Sequence, residues 1–306
     1  MSVVRTPRRL MGRVYRACAA PFGLRALDRM LRDGLPPRLH SPLRFLFTGE
    51  APAAAENVAA RIERLRADIA SRGDTYQFSY RPTSVGTARW PERAGGSSTG
   101  APVSSGWLAH AASVPRRWGM FLHLCAQAFD ARAILELGAC VGISGAYLAS
   151  IPSHPRFLTL EGSAALAPIA QETLAALSHR AVILHGPFET GLHRAFAAFA
   201  DERLPVDVAY IDGHHDEAAT LHYVRSLAPH LASEALVILD DIYLYAEMWR
   251  AWQRVRSMPG LAAVVNVGRF GLLVWNGGAG AATQYDLARY TGWWRVGGSR
   301  RAALRA

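Results

Sequence analysis

Ile134-Leu135-Glu136-Leu137-Gly138-Ala139-Cys140-Val141-Gly142-Ile143-Ser144-Gly145 is an apolar run that breaks into a glycine-rich turn and then a helical start. Glycine in such a turn lets a bound cofactor approach the backbone where a side chain would collide. The helix start that follows offers unpaired amide donors and the positive end of the helix dipole. A dinucleotide fold requires glycine at the first, third and sixth positions of this turn, to seat a pyrophosphate. Here the third position is Cys140 and the sixth is Ile143, and glycine returns at Gly142 instead. That pattern disfavours a nicotinamide or flavin dinucleotide.

Outward from this turn the chain alternates. Short apolar runs at 133–137, 156–160, 181–185, 206–211 and 235–239 read as strands. Helical patterns at 143–150, 163–178, 188–200, 216–231 and 244–257 separate them. The rhythm predicts parallel strands covered on both faces. Two more runs, 261–267 and 270–276, are separated only by Gly268 and Arg269 and predict a hairpin. The fold class is α/β: a Rossmann-like, doubly wound, mostly parallel seven-stranded sheet with a terminal antiparallel hairpin, preceded by a helical N-terminal extension.

Upstream, residues 1–50 are basic, with helical patches between Pro7, Pro21, Pro36, Pro37 and Pro42. Val58, Ile62, Leu65 and Ile69 predict a helix from Ala53 to about Arg72, and Trp118, Phe121, Leu122, Cys125 and Phe129 predict another over 114–129. Residues 73–106 are rich in Gly, Ser, Thr and Pro and read as a lid or linker, with Tyr80, Trp90 and Trp107 as candidates for lining an aromatic acceptor pocket. Four regions follow: a basic extension over 1–50, a helix plus lid or linker over 51–113, a cofactor-binding domain over 114–280 and a basic tail over 281–306, which carries Arg295, Arg300, Arg301 and Arg305.

The formal net charge is +10, and every one of the 34 Lys or Arg residues is arginine. The extension concentrates that charge. Arg5, Arg8, Arg9, Arg13, Arg16, Arg25, Arg29, Arg32, Arg38 and Arg44 face only Asp28 and Asp33 among the first 45 residues. Such an arm fits solvent, an anionic lipid surface contacted peripherally, or nucleic acid phosphates. Three scattered cysteines, Cys18, Cys125 and Cys140, give neither a disulfide framework nor a zinc spacing, which fits the reducing cytoplasm. No apolar run approaches the roughly 20 residues of a membrane helix.

Acids mark the strand ends. Glu161 closes Phe157-Leu158-Thr159-Leu160, about 20 residues past the glycine turn, where this fold class grips ribose hydroxyls. Asp212 closes the strand 206–211 and is followed by Gly213, His214 and His215, while Asp240 and Asp241 close 235–239. Open α/β sheets bind ligands at these carboxyl ends.

The stretches ILELGACVGISGAYLA (134–149), LTLEGSAALAPIAQETL (158–174), HGPFETGL (185–192), VAYIDGHHDEAATLHYV (208–224) and VILDDIYLYAEMWRAW (237–252) resemble class I S-adenosylmethionine-dependent methyltransferases, in particular a bacterial branch akin to O-methyltransferases. The resemblance covers about residues 114–276 and implies S-adenosylmethionine as cofactor and a small-molecule methyl acceptor. By position it implies that Glu136, Gly138, Ala139 and Gly142 cradle the methionine part, Glu161 and Gly162 the ribose, and Gly186 to Phe188 the adenine. Asp212 resembles the rim acid beside the sulfonium, and His215 matches the motif histidine. His214 stands where relatives often carry Asn, and Tyr243 stands where they often carry His. The catalytic candidates are His215 first, then His214, with Asp212 and Asp241. A Mg²⁺ ion on Asp212, Asp240 and Asp241 is a second route. The charge raises a nucleic-acid methyltransferase as the alternative, but no Asn-Pro-Pro-Tyr-type motif follows 206–211. A non-catalytic scaffold of the same fold is a further alternative, resting on Tyr243.

Overall fold

Backbone hydrogen bonding and apolar periodicity produce the expected alternation almost element for element. The computed structural model describes residues 5–77 and 102–292. Helices α1 (Arg5–Arg32), α2 (His40–Thr48) and α3 (Ala53–Ser71) come first. A two-residue strand β1 (Thr75–Tyr76) pairs antiparallel with β2 (Val103–Ser104), and α4 (Ser105–Trp107) follows. Then come α5 (Arg116–Ala128), β3 (Ala133–Leu137), α6 (Ile143–Ala149), β4 (Arg156–Glu161), α7 (Ala167–Ala175), β5 (Ala181–His185), α8 (Phe188–Asp201) and β6 (Val206–Ile211). The chain continues with α9 (Glu217–Leu227), β7 (Leu231–Leu239), α10 (Ala246–Val255), β8 (Leu261–Asn266), β9 (Gly271–Trp275), β10 (Thr283–Asp286) and α11 (Ala288–Thr291). The expected hairpin is β8–β9, which pairs antiparallel. The seven expected strands are present, and β10 adds a further one, parallel to β8. Tyr80, Trp90 and the arginines from Arg295 onward lie outside the described residues.

The chain divides into two units, residues 51–214 and residues 1–50 with 215–306. In the unit 51–214, four parallel strands run in the order β6-β3-β4-β5. Central β3 is buried along its whole length, as the apolar run Ala-Ile-Leu-Glu-Leu requires of a strand covered on both faces. The register aligns Leu137 with both Leu160 and Ile211, so the next residues, Gly138, Glu161 and Asp212, emerge at one rim.

The helices of this unit bury the stripes their spacing dictates, with one shift. On α3 the buried face is Ala55, Ala59, Ile62, Arg66 and Ile69, while Val58 and Leu65 are half-buried. An arginine therefore occupies a core position, and it is fully engaged. Nη1 donates to the Ala109 carbonyl at 2.6 Å and Nη2 to the Val114 carbonyl at 2.7 Å. Nε pairs with Glu63 at 3.0 Å, and Glu63 also accepts from Tyr147 Oη at 2.9 Å. This ties α3 and α6 to the turn that leads into α5. Together, β1 and β2 clamp the two ends of the Gly- and Ser-rich segment side by side.

In the other unit the strand order is β10-β8-β9-β7. A single helix, α1, runs through Pro21, where the prolines suggested separate patches. It packs on α2, the Phe47 ring taking the space beside Gly23. Tyr15 Oη donates to the Arg289 carbonyl at 2.6 Å, and Tyr285 Oη to the Asp33 carbonyl at 3.0 Å, fastening α1 and the turn after it to the C-terminal elements. Met248 and Trp252 are core residues.

Arg66→Ala leaves two carbonyls without their donor in a buried place. It is expected to lower unfolding free energy by roughly 3–5 kcal/mol. Arg72→Ala, at an exposed pair with Glu172, should cost under about 1 kcal/mol. Chemical denaturation of both variants measures the contrast.

Candidate cofactor and acceptor site

The turn after β3 is built by backbone contacts that exclude side chains. Gly138 sits at φ +103°, and a Cβ there would collide with the Asp212 carbonyl oxygen. Its amide donates to the Leu160 carbonyl at 2.9 Å, while the Asp212 amide donates to the Leu137 carbonyl at 2.9 Å. Gly142 caps α6 at φ +83°, and a Cβ there would lie 3.0 Å from the Ala170 carbonyl oxygen. The ends of β3, β4 and β6 are thereby locked together.

Glu161 completes the lock. It is buried, and one carboxylate oxygen accepts the Cys140 amide at 2.7 Å and the other the Ser163 amide at 2.7 Å. Burial pushes its carboxyl up, and the amides of Ser163, Cys140 and Gly162, which favour the charged form, oppose the push. Each oxygen keeps a second acceptor position, which suits a pair of ribose hydroxyls. Cys140 holds this geometry at φ +50°, uncommon for a residue with a side chain. Its thiol is pushed well up, chiefly by burial and then by the Glu161 charge.

Glu136 points the other kind of acid into the same place. It is fully buried, and Thr159 Oγ1 donates to its Oε2 at 2.7 Å. Its Oε1 is buried with no hydrogen-bond partner in the protein. Burial raises its carboxyl to about 8, against the smaller pull of Ser144 and Thr159. A buried, unpartnered carboxylate oxygen is costly unless a donor arrives. The methionine ammonium of S-adenosylmethionine is a donor of the right charge. Gly162 and Gly186 leave room on the same side of the sheet, since a Cβ at either would meet nothing within 4 Å. The residues of this unit therefore fit the cofactor.

Further residues at the end of β6 and the start of α8 lie in the same unit. Tyr210 Oη donates to Asp212 Oδ2 at 3.1 Å. Buried Phe188, at the start of α8, fills the space over Gly213 and meets the His214 ring edge-on, centroids 5.1 Å apart. His214 and His215 both adopt left-handed backbone angles, at φ +62° and +42°. Consecutive strained residues cluster at functional sites. Thus Glu136, Gly138, Ala139, Gly142, Glu161, Gly162, Gly186, Phe188, Asp212 and His214 belong to one unit, while His215 and Asp241 belong to the other.

In that other unit Asp240 is fully buried and held by Arg269, whose Nε donates at 2.7 Å and whose Nη2 takes the second oxygen. The Asp241 amide also donates to Asp240 at 2.6 Å. Asp240 is thus a structural anchor between the end of β7 and the β8–β9 turn, and its oxygens do not fit the Mg²⁺ role. Among the described residues no group of three or more His, Cys, Asp or Glu could hold a metal ion. Asp241 is buried at φ +50°. Tyr243 Oη accepts from Asn266 Nδ2 at 2.8 Å, and its ring stacks on Trp249, centroids 4.8 Å apart.

Sequence reasoning overlooked Cys140 and Ser163 as amide donors, Thr159, Tyr210 and Arg269. Thr159 carried a signal, being a polar residue between leucines in a buried strand; the register sets it opposite Glu136. Arg269 looked like a hairpin spacer.

Residues 135–242 match a family model described as a methyltransferase domain. That stretch, from β3 to the turn after β7, is where the chain is similar to methyltransferases. Among solved structures, cofactor-bound Rv0187 from MTB is similar at 20% identity and a TM-score of 0.50, over 80% of this chain and 98% of that one, and it shares the fold. An O-methyltransferase from Bacillus cereus, in complex with SAH, is 18% identical over 82% of this chain and 97% of its own, with a TM-score of 0.47. The O-methyltransferase TomG from Streptomyces achromogenes, involved in tomaymycin synthesis and in complex with SAM, is 21% identical over 54% and 82% of the two chains, also at 0.47. No curated protein matches the chain. No helix among the described residues is long and apolar enough to cross a membrane.

The raised Glu136 carboxyl sets a pH dependence. Its folded value lies above the unfolded one, so the folded state holds a proton that the unfolded state has lost between about pH 4.5 and about 8. Stability therefore falls as pH rises through that window, by up to about 1.4 kcal/mol per unit. Glu136→Gln should flatten the slope, read from denaturant midpoints at successive pH values.

Proposed function

We propose that this chain methylates a hydroxyl oxygen of a small molecule, with Glu136 and Glu161 holding the cofactor and a β6-end histidine removing the proton. The observation that carries the cofactor half of the reading is the unpartnered, buried Glu136 Oε1 beside the Glu161-locked turn. S-adenosylmethionine supplies an activated methyl group when bound. Glu136 would take the ammonium on Oε1, and Glu161 the ribose hydroxyls on its remaining lone pairs. Gly138 and Gly142 keep the turn clear of side chains.

An oxygen acceptor needs its proton removed, and an imidazole titrating near neutrality does this well. His214 is the base this geometry supports, because its ring is oriented by Phe188 in the unit that holds the cofactor residues. His215, first on sequence grounds, is the alternative base. The histidine would take the hydroxyl proton as the acceptor oxygen accepts the methyl group that the bound cofactor would supply. Asp212 and Tyr210 then shape the rim. The rest of the chain's task is alignment and exclusion of water.

Two expectations follow for affinity and turnover. Calorimetry should find S-adenosylmethionine affinity rising with pH toward about 8, as Glu136 ionises, and lost or pH-independent in Glu136→Gln. With a hydroxyl acceptor found by deuterated-methyl labelling of small-molecule extracts, His214→Ala should lower kcat by about 100- to 10,000-fold and spare cofactor affinity. If His215→Ala shows that loss instead, the base is reassigned. If neither variant changes kcat, the hydroxyl reading fails.

A further inference from the structure

Outside the cofactor site, the exposed apolar side chains gather on one helix. Val14 and Phe22 are 56% and 59% exposed, the two exposed large hydrophobic residues among those described. Both lie on α1. At about 100° per residue, Val14, Cys18, Pro21, Phe22, Arg25, Arg29 and Arg32 share a stripe about 100° wide, and all seven are exposed. The opposite side carries Ala19, Gly23 and Leu27, which are buried. The helix is therefore seated by one face, and the other pairs an apolar N-terminal half with a basic C-terminal half.

We infer that this face of α1 docks on an anionic lipid surface. In solvent an exposed Phe22 and Val14 gain nothing, whereas at a bilayer interface they enter the boundary between headgroups and acyl chains. Arg25, Arg29 and Arg32 would then lie over lipid phosphates, their stems covering apolar surface and their guanidinium groups reaching the charge. Charge complementarity supports this occupant. Helix α1 holds eight arginines, and Asp28 is its one acid. A second copy of the chain fits worse, since the stripe offers no acid to meet the three arginines. Nucleic acid would use the arginines but leave Val14 in water. The inference is independent of the acceptor and of the base.

Co-sedimentation of the full chain with vesicles tests it, using phosphatidylcholine alone and phosphatidylcholine with about one-third phosphatidylglycerol. Binding should require the anionic lipid and weaken with salt. Arg25→Gln/Arg29→Gln/Arg32→Gln should weaken it about 100-fold, at about fivefold per charge. Phe22→Ser should weaken it about tenfold without altering salt dependence. Arg64→Gln/Arg203→Gln/Arg225→Gln removes as much charge from other exposed positions and should retain most of the binding. The proposal is overturned by absence of binding of the unaltered chain, by equal loss in the two triple variants, or by full binding of Phe22→Ser. It is also overturned if Phe22→Ser instead dissociates a dimer in light scattering, or if a single-stranded oligonucleotide binds more tightly than the anionic vesicles and ignores Phe22→Ser. Unchanged thermal unfolding of the variants confirms that the helix stays folded.

Discussion

The carboxylate of Glu161 accepts one amide from the turn after β3 and one from the turn after β4, and this double hydrogen bond holds the carboxyl ends of the two strands together. Around it the backbone is packed so closely that Gly138 has no room for a side chain beside the Asp212 carbonyl. Three strand ends are thus fixed against each other by main-chain atoms and one acid. A rim made this way moves little when a ligand enters, so binding energy is spent on the ligand and little of it on ordering the protein.

Two buried acids then behave differently because their partners differ. Glu161 has amide donors on both oxygens, which stabilise its charge against the desolvation that raises it. Glu136 has Thr159 on one oxygen and no partner on the other, and its carboxyl rises to about 8. The strain of an unmet acceptor in the core is stability given up locally at a place where a cationic donor could restore it. Burial without partners marks functional positions more sharply than burial itself does.

In the other unit, acids at a strand end serve the opposite purpose. Asp240 meets Arg269 across the β8–β9 turn and is satisfied within the protein. Such a buried pair fixes the end of β7 and the hairpin in one arrangement. Helix α1 gives the same lesson in reverse: its inward face is matched by α2, while its outward face carries apolar and basic side chains that the unit itself does not use.

Periodicity sufficed to read the alternating strands and helices and the β8–β9 hairpin, because these depend on local chemistry that repeats every two or 3.6 residues, whereas the cofactor class entered through the resemblance of the quoted stretches to methyltransferases. Glu161 and Asp212 stand out in the sequence as acids ending apolar runs, while Glu136, inside its run, is singled out only by the resemblance. Tertiary structure alone decided which acid keeps an unmet oxygen, because Thr159, Cys140 and Ser163 reach Glu136 and Glu161 only through strand register and turn closure. It also turned Asp240 from metal candidate to anchor, through an arginine 29 positions away, and put Arg66 rather than Leu65 in the core stripe of α3. A charge's partner is a matter of three-dimensional distance, and sequence spacing does not carry that distance.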